Sequence, residues 1–284
     1  MNSVLALALG PRVAPLGTHE IPAARAAALV LATAACAHSP LGTPQLNLVS
    51  DADMNALGEQ AFAEAKAETP ETKDAAVTAY VRCVAAAIAD EVAPGQKWDV
   101  RVFESPQVNA FALPGGRIGV YTGLLKVAED QDQLATVLAH EVAHVTANHS
   151  KARVSAALAS QAGVQLTSAL LGGSGAANQQ LLGLLGAGVQ YGVLMPYGRG
   201  QETEADLIGL DSMAKAGFDP RASVKLWENM SKASGGKEPP TFLSTHPSNE
   251  GRIDDLNARM PQALKLYEQA QAAGRRPNCP QPGR

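Results

Sequence analysis

His140-Glu141-Val142-Ala143-His144 sets two imidazoles four residues apart, with a carboxylate directly after the first. In a helix, side chains four apart share a face, so both rings can approach one cation. Histidine nitrogens suit zinc, which takes three protein ligands in a reactive site and keeps a fourth position open. Glu141 lies about 100° round the helix from His140. It then stands beside the metal rather than squarely facing it, where a carboxylate can take a proton from water. The chemistry these residues suit is metal-assisted hydrolysis.

A third ligand must come from elsewhere. His149 is near in sequence, but in one continuous helix it is turned about 140° from His144 and about 180° from His140. It is expected to point away, on the helix surface or in a supporting layer. The glycine spacing of the longer three-histidine motif is missing. Glu202-Thr203-Glu204-Ala205-Asp206 is the better source. Glu202 and Asp206 share a helical face, and Glu204 points elsewhere. One of the pair can complete a site of two histidines and a carboxylate. The other can accept a hydrogen bond from a ligand imidazole and fix its tautomer. Alone, this run would read as a solvated acidic first turn.

These side chains need rigid elements to hold them. Asp51–Lys66 and Ala75–Ala89 read as helices, with Asp51 and Thr72 as N-caps. Trp98–Phe103 alternates at period two, as a strand does. Asn109–Leu113 and Arg117–Thr122 are extended runs split by Pro114-Gly115-Gly116, a hairpin. One helical pattern runs from about Glu129 past His149 to about Gln161. Gly163–Tyr197 is apolar and rich in glycine. Its Asn and Gln residues favour a buried helix pair, or a cover over a site, against a membrane hairpin. Gln201–Ala216 reads as a helix closed by Gly217, and Pro220–Ser234 as another. A loop with Thr245-His246-Pro247-Ser248 precedes helices over Asn249–Arg259 and Pro261–Ala273. His246 on that loop reads by itself as structural. The fold class is α+β, mostly helical with one small antiparallel sheet.

The 284 residues carry 23 Lys+Arg against 27 Asp+Glu, and 46% are hydrophobic. That hydrophobic share excludes a disordered chain, and the charge balance offers no basic stripe for a nucleic-acid partner. Three cysteines can build neither a Cys₄ zinc site nor a disulfide scaffold. Arg12 and Arg25 precede the apolar run Ala26–Ala35, which ends at Cys36. A charged approach, a short apolar stretch and small residues describe a secretory signal, too short to span a bilayer as a helix. Cys36 after Ala34-Ala35 resembles a bacterial lipobox cysteine, with Thr33 where leucine is usual. The bland alternative is a buried Ala-rich helix with a free thiol. The chain then divides into an export segment (1–36), a linker (37–47), a catalytic domain (48–274) and a Pro-rich tail (275–284). Export leaves Cys83 and Cys279, for which a disulfide is expected over two free thiols.

Several pieces now stand in a known order: Asn109–Gly116, Gly123-Leu124-Leu125, His140–His144 with His149, Glu202–Asp206, and Ser244–Pro247 followed by Arg252-Ile253. The chain resembles the zinc metallopeptidase family that includes HtpX, the CAAX prenyl endopeptidases, the mitochondrial Oma-type proteases and the envelope proteases LoiP and BepA. It resembles most the compact LoiP-like lipoproteins. It shows neither the multiple membrane spans of HtpX and the CAAX enzymes nor the helical-repeat domain of BepA-like members. The resemblance implies a gluzincin-type domain and one zinc ion on His140, His144 and Glu202, with Glu141 as general base. It places His246 near the zinc, either stabilising the oxyanion or latching the open position. It implies supporting roles for Asp206 and Arg252. It sets Asn109, Ala110, Phe111 and Ala112 on an edge strand that pairs with an extended polypeptide substrate. It implies a periplasmic enzyme, lipid-anchored to the outer membrane, that degrades misfolded or unassembled envelope proteins. Oligomeric state is not legible. Two rivals stand beside this reading: a zinc-containing chaperone or assembly factor with latched proteolysis, and a structural lipoprotein with a chance motif.

Overall fold

In the computed structural model, residues 36–170, 197–233, 241–247 and 251–283 are described. The signal-like residues before Cys36, and residues 171–196 of the apolar, glycine-rich segment, lie outside them. The chain divides into two units, Met1–Cys36 and Ala37–Arg284, and every element of the candidate site lies in the second.

Strands β1 (Cys36–His38) and β2 (Pro44–Leu46) form a two-stranded sheet. Residues 37–47, expected as a linker, thus carry most of a hairpin. It is tied to the body where Gln45 Nε2 donates to Ala147 O (2.9 Å) and the Leu48 amide to Ser155 Oγ (2.8 Å). Helix α1 (Asp51–Glu68) is capped by Ser50 rather than Asp51, and α2 (Ala75–Val92) by Asp74 rather than Thr72. In both, the capping oxygen accepts backbone N–H groups that have no partner inside the helix.

Strands β3 (Asp99–Phe103), β4 (Ala110–Leu113) and β5 (Arg117–Tyr121) form the main sheet, in the order β3-β5-β4. β4 and β5 are the expected antiparallel hairpin, with Ala110 opposite Val120 and Ala112 opposite Ile118. β3, however, pairs parallel with β5, so the sheet is mixed rather than antiparallel. Period-two alternation marks a strand but carries no information about its partner's direction. The consequence matters for function: β4 stands at an edge.

A 3₁₀ turn (Thr122–Lys126) leads to α3 (Gln131–Thr146), capped by Asp130. The single long helix expected here is two. It stops at Ala147, and α4 (His149–Leu170) begins after Asn148, whose φ is 56°. Asparagine is among the few residues that visit this left-handed conformation at modest cost. After α4 come α5 (Arg199–Ala216), α6 (Ala222–Ala233), α7 (Thr241–Thr245) and α8 (Arg252–Ala272). α8 is also one helix where two were expected, with Pro261 inside it.

α3 is the central rod. Its Leu134, Leu138 and Val142 pack with Val81, Val84 and Ile88 of α2, Leu210 and Met213 of α5, and Leu226 and Met230 of α6. Gly209 lets α5 lie directly on the active-site turn of α3. A Cβ there would meet His140 N at 2.9 Å, too close for backbone to yield cheaply. α5 ends at Gly217 in the left-handed conformation (φ 96°), as the sequence suggests. A second cluster of Phe62, Phe103, Leu113, Phe111 and Tyr121 holds α1 against the sheet. The architecture is α+β, mostly helical.

Cys83 on α2 and Cys279 in the tail are disulfide-bonded, with Cα atoms 5.6 Å apart. Gln131 reinforces the tie, donating to Pro277 O and accepting from the Cys279 amide, both at 2.9 Å. Cross-linking distant residues acts largely by restricting the unfolded chain. Cys83→Ser should therefore lower the unfolding free energy by about 2–4 kcal/mol in denaturant titration. An unchanged midpoint would show that the tail adds nothing to stability.

Candidate active site

His140 and His144 project from one face of α3 towards the first turns of α5. There Glu202 and Asp206 share a face in turn. α7 delivers His246 from the opposite side; its Phe242 amide donates to Val108 O (3.0 Å), just before β4. All these side chains are buried. His140 Nε2, His144 Nε2, His246 Nδ1 and a Glu202 carboxylate oxygen converge, with all four donor atoms within 4.8 Å of one another. Nε2 of His140 lies 3.1 Å from Nε2 of His144 and 3.2 Å from Nδ1 of His246. Glu202 lies 3.1 Å from His246 Nδ1, 3.4 Å from His144 Nε2 and 3.5 Å from His140 Nε2. Two ligands at zinc bond lengths and tetrahedral angles are about 3.3–3.4 Å apart.

The outer nitrogens show what the inner ones need. His140 Nδ1 lies 2.9 Å from Asp206 Oδ1, and His144 Nδ1 lies 2.9 Å from His149 Nδ1. When each outer nitrogen carries the proton and donates, each inner Nε2 presents a lone pair. Two such lone pairs facing each other at 3.1 Å, beside a carboxylate, are stabilised by a cation between them. Charge points the same way. Three buried carboxylates, Glu141, Glu202 and Asp206, surround the cluster and are met by one guanidinium, Arg252. Negative donors thus outnumber the guanidinium among the described residues, and a divalent cation would offset the excess. The donor set therefore fits a divalent metal with nitrogen and oxygen ligands.

The individual groups respond to the same excess of negative charge. Burial works against a charged His140, but Asp206 and Glu202 outweigh it and push the ring up to about 10; positive charge is favoured at this spot. Burial holds His144 well below the ordinary histidine value, keeping it neutral as a ligand must be. Burial alone would raise Glu202, but contacts with His140, His144 and His246 hold it below the usual carboxylate range. Burial pushes Glu141 up, against the pull of His246 and His140. A carboxylate raised in this way is a stronger proton acceptor than an exposed one.

Glu141 faces the cluster and the edge strand together. Its Oε2 accepts the Ala112 amide (3.3 Å), and its Oε1 lies 3.2 Å from His246 Nε2. A cleft of about 240 Å³ opens here, lined by Asn109, Ala110, Phe111 and Ala112, together with Glu141 and His246. Arg252 donates from Nε to Asp206 Oδ2 (2.6 Å) and from Nη2 to Glu202 Oε2 (2.7 Å), with its guanidinium 3.9 Å over the Trp227 ring. The backbone of Cys36 lies in β1.

His149 corrects the expectation. It does not point away. The break at Asn148 turns it back onto His144, and it is fully buried. Glu204 is its second partner, with Oε2 3.3 Å from His149 Nε2. The supporting layer was among the expectations for His149, but its direction was misread because helical angles were carried through a residue at which the helix ends; the role of Glu204 was missed. Asn148, which tolerates φ above zero, was the available signal. Tyr197 was missed as well. Its ring stacks on His144 at 3.7 Å between centroids, and its hydroxyl pairs with Ser150 Oγ (2.8 Å).

The profile of peptidase family M48 matches residues 73–260, well over half of the chain and all of the clustered residues. The chain belongs to peptidase family M48. Among M48 relatives, the mitochondrial metalloendopeptidase OMA1 of Schizosaccharomyces pombe is 43% identical over 169 residues, 59% of this chain and 48% of that protein. Human mitochondrial metalloendopeptidase OMA1 is 36% identical over 197 residues, 64% and 35% of the two chains. The beta-barrel assembly-enhancing protease of Yersinia pestis is 29% identical over 210 residues, 72% and 43%. This M48 chain thus spans about half or less of the length of the relatives it matches. Among the described residues, no helix is long and apolar enough to cross a membrane.

Proposed function

We infer that the protein is a zinc-dependent endopeptidase that cleaves extended segments of misfolded or unassembled envelope proteins. The observation that carries this is the convergence of His140, His144 and Glu202 beside Glu141 at the foot of an open edge strand. Bound there, one zinc ion would polarise the scissile carbonyl and make water more acidic. The chain's own residues do the rest. Asn109–Ala112 offers its outward backbone edge to a substrate strand, in which the Ala110 and Ala112 amides exchange Asn109 Oδ1 and Glu141 Oε2 for substrate carbonyls; such pairing tolerates many sequences. Glu141 removes the proton of the attacking water and returns it to the leaving amine. Asp206 orients His140, and Arg252 orients Glu202 and Asp206. Attachment through a lipid on Cys36 and a periplasmic site of action complete the proposal; the envelope location draws support from the beta-barrel assembly-enhancing relatives. The experiment is metal content with casein cleavage. Purified protein should hold about one zinc per chain, lose cleavage on chelation and regain it with zinc. Protein without stoichiometric metal sinks the reading.

His246 favours a second state of the same enzyme. Its Nδ1 sits among the metal donors while its Nε2 faces Glu141. In this arrangement the fourth position is filled and an imidazole stands 3.2 Å from the general base, so the site is closed. A protein held in this state behaves as a zinc-containing chaperone or assembly factor with latched proteolysis. His246→Ala should then cleave casein faster than the wild type. Slower cleavage would make His246 an oxyanion donor instead, and no cleavage by either protein despite bound zinc would favour the chaperone.

A further inference from the structure

We propose that Ser39, Glu204 and His149 form a positioning relay that fixes the tautomer of His144, so that the hairpin after Cys36 is part of the metal site's support. The inference rests on the metal reading above. The relay is continuous and buried. Ser39 Oγ–H donates to Glu204 Oε1, which also accepts the Leu41 amide at 3.3 Å. Glu204 Oε2 lies 3.3 Å from His149 Nε2, and His149 Nδ1 lies 2.9 Å from His144 Nδ1. Ser39, Glu204, His149 and His144 are all buried.

Direction is what makes the chain of contacts a relay. An ionised carboxylate only accepts, and a neutral imidazole donates from one nitrogen and accepts at the other. Glu204 therefore draws the His149 proton to Nε2 and leaves a lone pair on Nδ1. That lone pair takes the proton of His144 Nδ1. His144 is then obliged to present a lone pair at Nε2, the atom in the donor cluster. Asp206 does the same for His140 in one step; His144 Nδ1 meets no carboxylate among the described residues and uses His149 as the intermediary.

The hairpin is shaped for this task. The Ser39 amide donates to Thr43 O, and the Gly42 amide to Ser39 O, both at 2.9 Å. Ser39 Oγ accepts the Thr43 amide at 3.0 Å, which leaves its hydroxyl proton for Glu204. Gln45 bonds to Ala147 O at the helix break that turns His149 inward.

The test is Glu204→Gln and Ser39→Ala in the full chain, with Ser39→Thr as the conservative rescue. In Glu204→Gln, an amide NH₂ must face either the Ser39 side or His149. Facing His149, it reverses both imidazole tautomers and puts a proton on His144 Nε2. Partners of this kind are worth about 10–100-fold in metal affinity. Zinc affinity, from competition with a chromophoric chelator, should fall about tenfold or more in Glu204→Gln, and by a smaller factor in Ser39→Ala, where the carboxylate survives but is less firmly held, and return in Ser39→Thr. The unfolding midpoint of metal-free protein should barely move. Affinities within twofold of the wild type in both variants would overturn the relay, as would an equal loss in Ser39→Thr. ¹⁵N shifts of the His144 ring separate the two ideas. Wild type protonated at Nδ1 but unable to bind zinc sinks the metal reading and keeps the relay. Wild type that binds zinc, with the His144 ring shifts unaltered in Glu204→Gln, sinks the relay alone.

Discussion

Glu141→Gln should keep its metal and lose casein cleavage by about 10²–10⁴-fold, the usual contribution of a positioned general acid–base. The substitution preserves shape. The new side-chain oxygen can still accept the Ala112 amide that Glu141 accepts at 3.3 Å. None of the inner donors, His140 Nε2, His144 Nε2 or the Glu202 carboxylate, belongs to residue 141. What disappears is a proton acceptor on the cleft side of the cluster. Stability should not fall, because burial disfavours the charged form of Glu141 and the amide removes that cost. The two measurements are metal content by mass spectrometry and casein cleavage at matched metal loading. Retained cleavage in the metal-loaded variant would remove Glu141 from the mechanism and leave the metal site intact. Loss of metal with loss of cleavage would instead make Glu141 a structural residue.

The inner site was legible because it is written in one period. His140 with His144, and Glu202 with Asp206, are four-residue pairs on uninterrupted helices, so spacing translates directly into a shared face. The edge strand was legible from Pro114-Gly115-Gly116 between two extended runs. The outer layer was not legible, because its contacts depend on where regular structure stops. One left-handed residue, Asn148, reverses the meaning of the five-residue spacing between His144 and His149. Glu204 looked aimed at nothing because its partners are His149 and a serine from a hairpin far upstream in the chain. Direction in the sheet failed for the same reason: the partner of β3 is β5, and alternation says nothing about which neighbour a strand meets. The Cys83–Cys279 pair was a matter of elimination in the sequence, and proximity settled it.

Arg252 carries the other large effect. Its guanidinium bonds two buried carboxylates at once, Asp206 at 2.6 Å and Glu202 at 2.7 Å, from a seat on the Trp227 ring. Arg252→Met keeps an apolar stem in that seat but removes the guanidinium from both carboxylates. Breaking a buried pair by removing one partner costs about 3–5 kcal/mol, most of it the uncompensated charge left behind. That loss should appear in denaturant titration of the metal-free protein. Zinc should then stabilise Arg252→Met by a larger increment than it stabilises the wild type, since it offsets charge that Arg252 no longer meets. Arg252→Lys should fall between the two: an ammonium is a point charge and cannot fork between Oδ2 of Asp206 and Oε2 of Glu202. Asp206→Asn placed in the Arg252→Met background supplies the decisive comparison. If the cost is electrostatic, neutralising one of the stranded carboxylates recovers part of the loss, and the two substitutions are less harmful together than their sum. Additive losses would mean that Arg252 acts through its packing on Trp227, and that the balance of charge around the donor cluster is not what holds this site together.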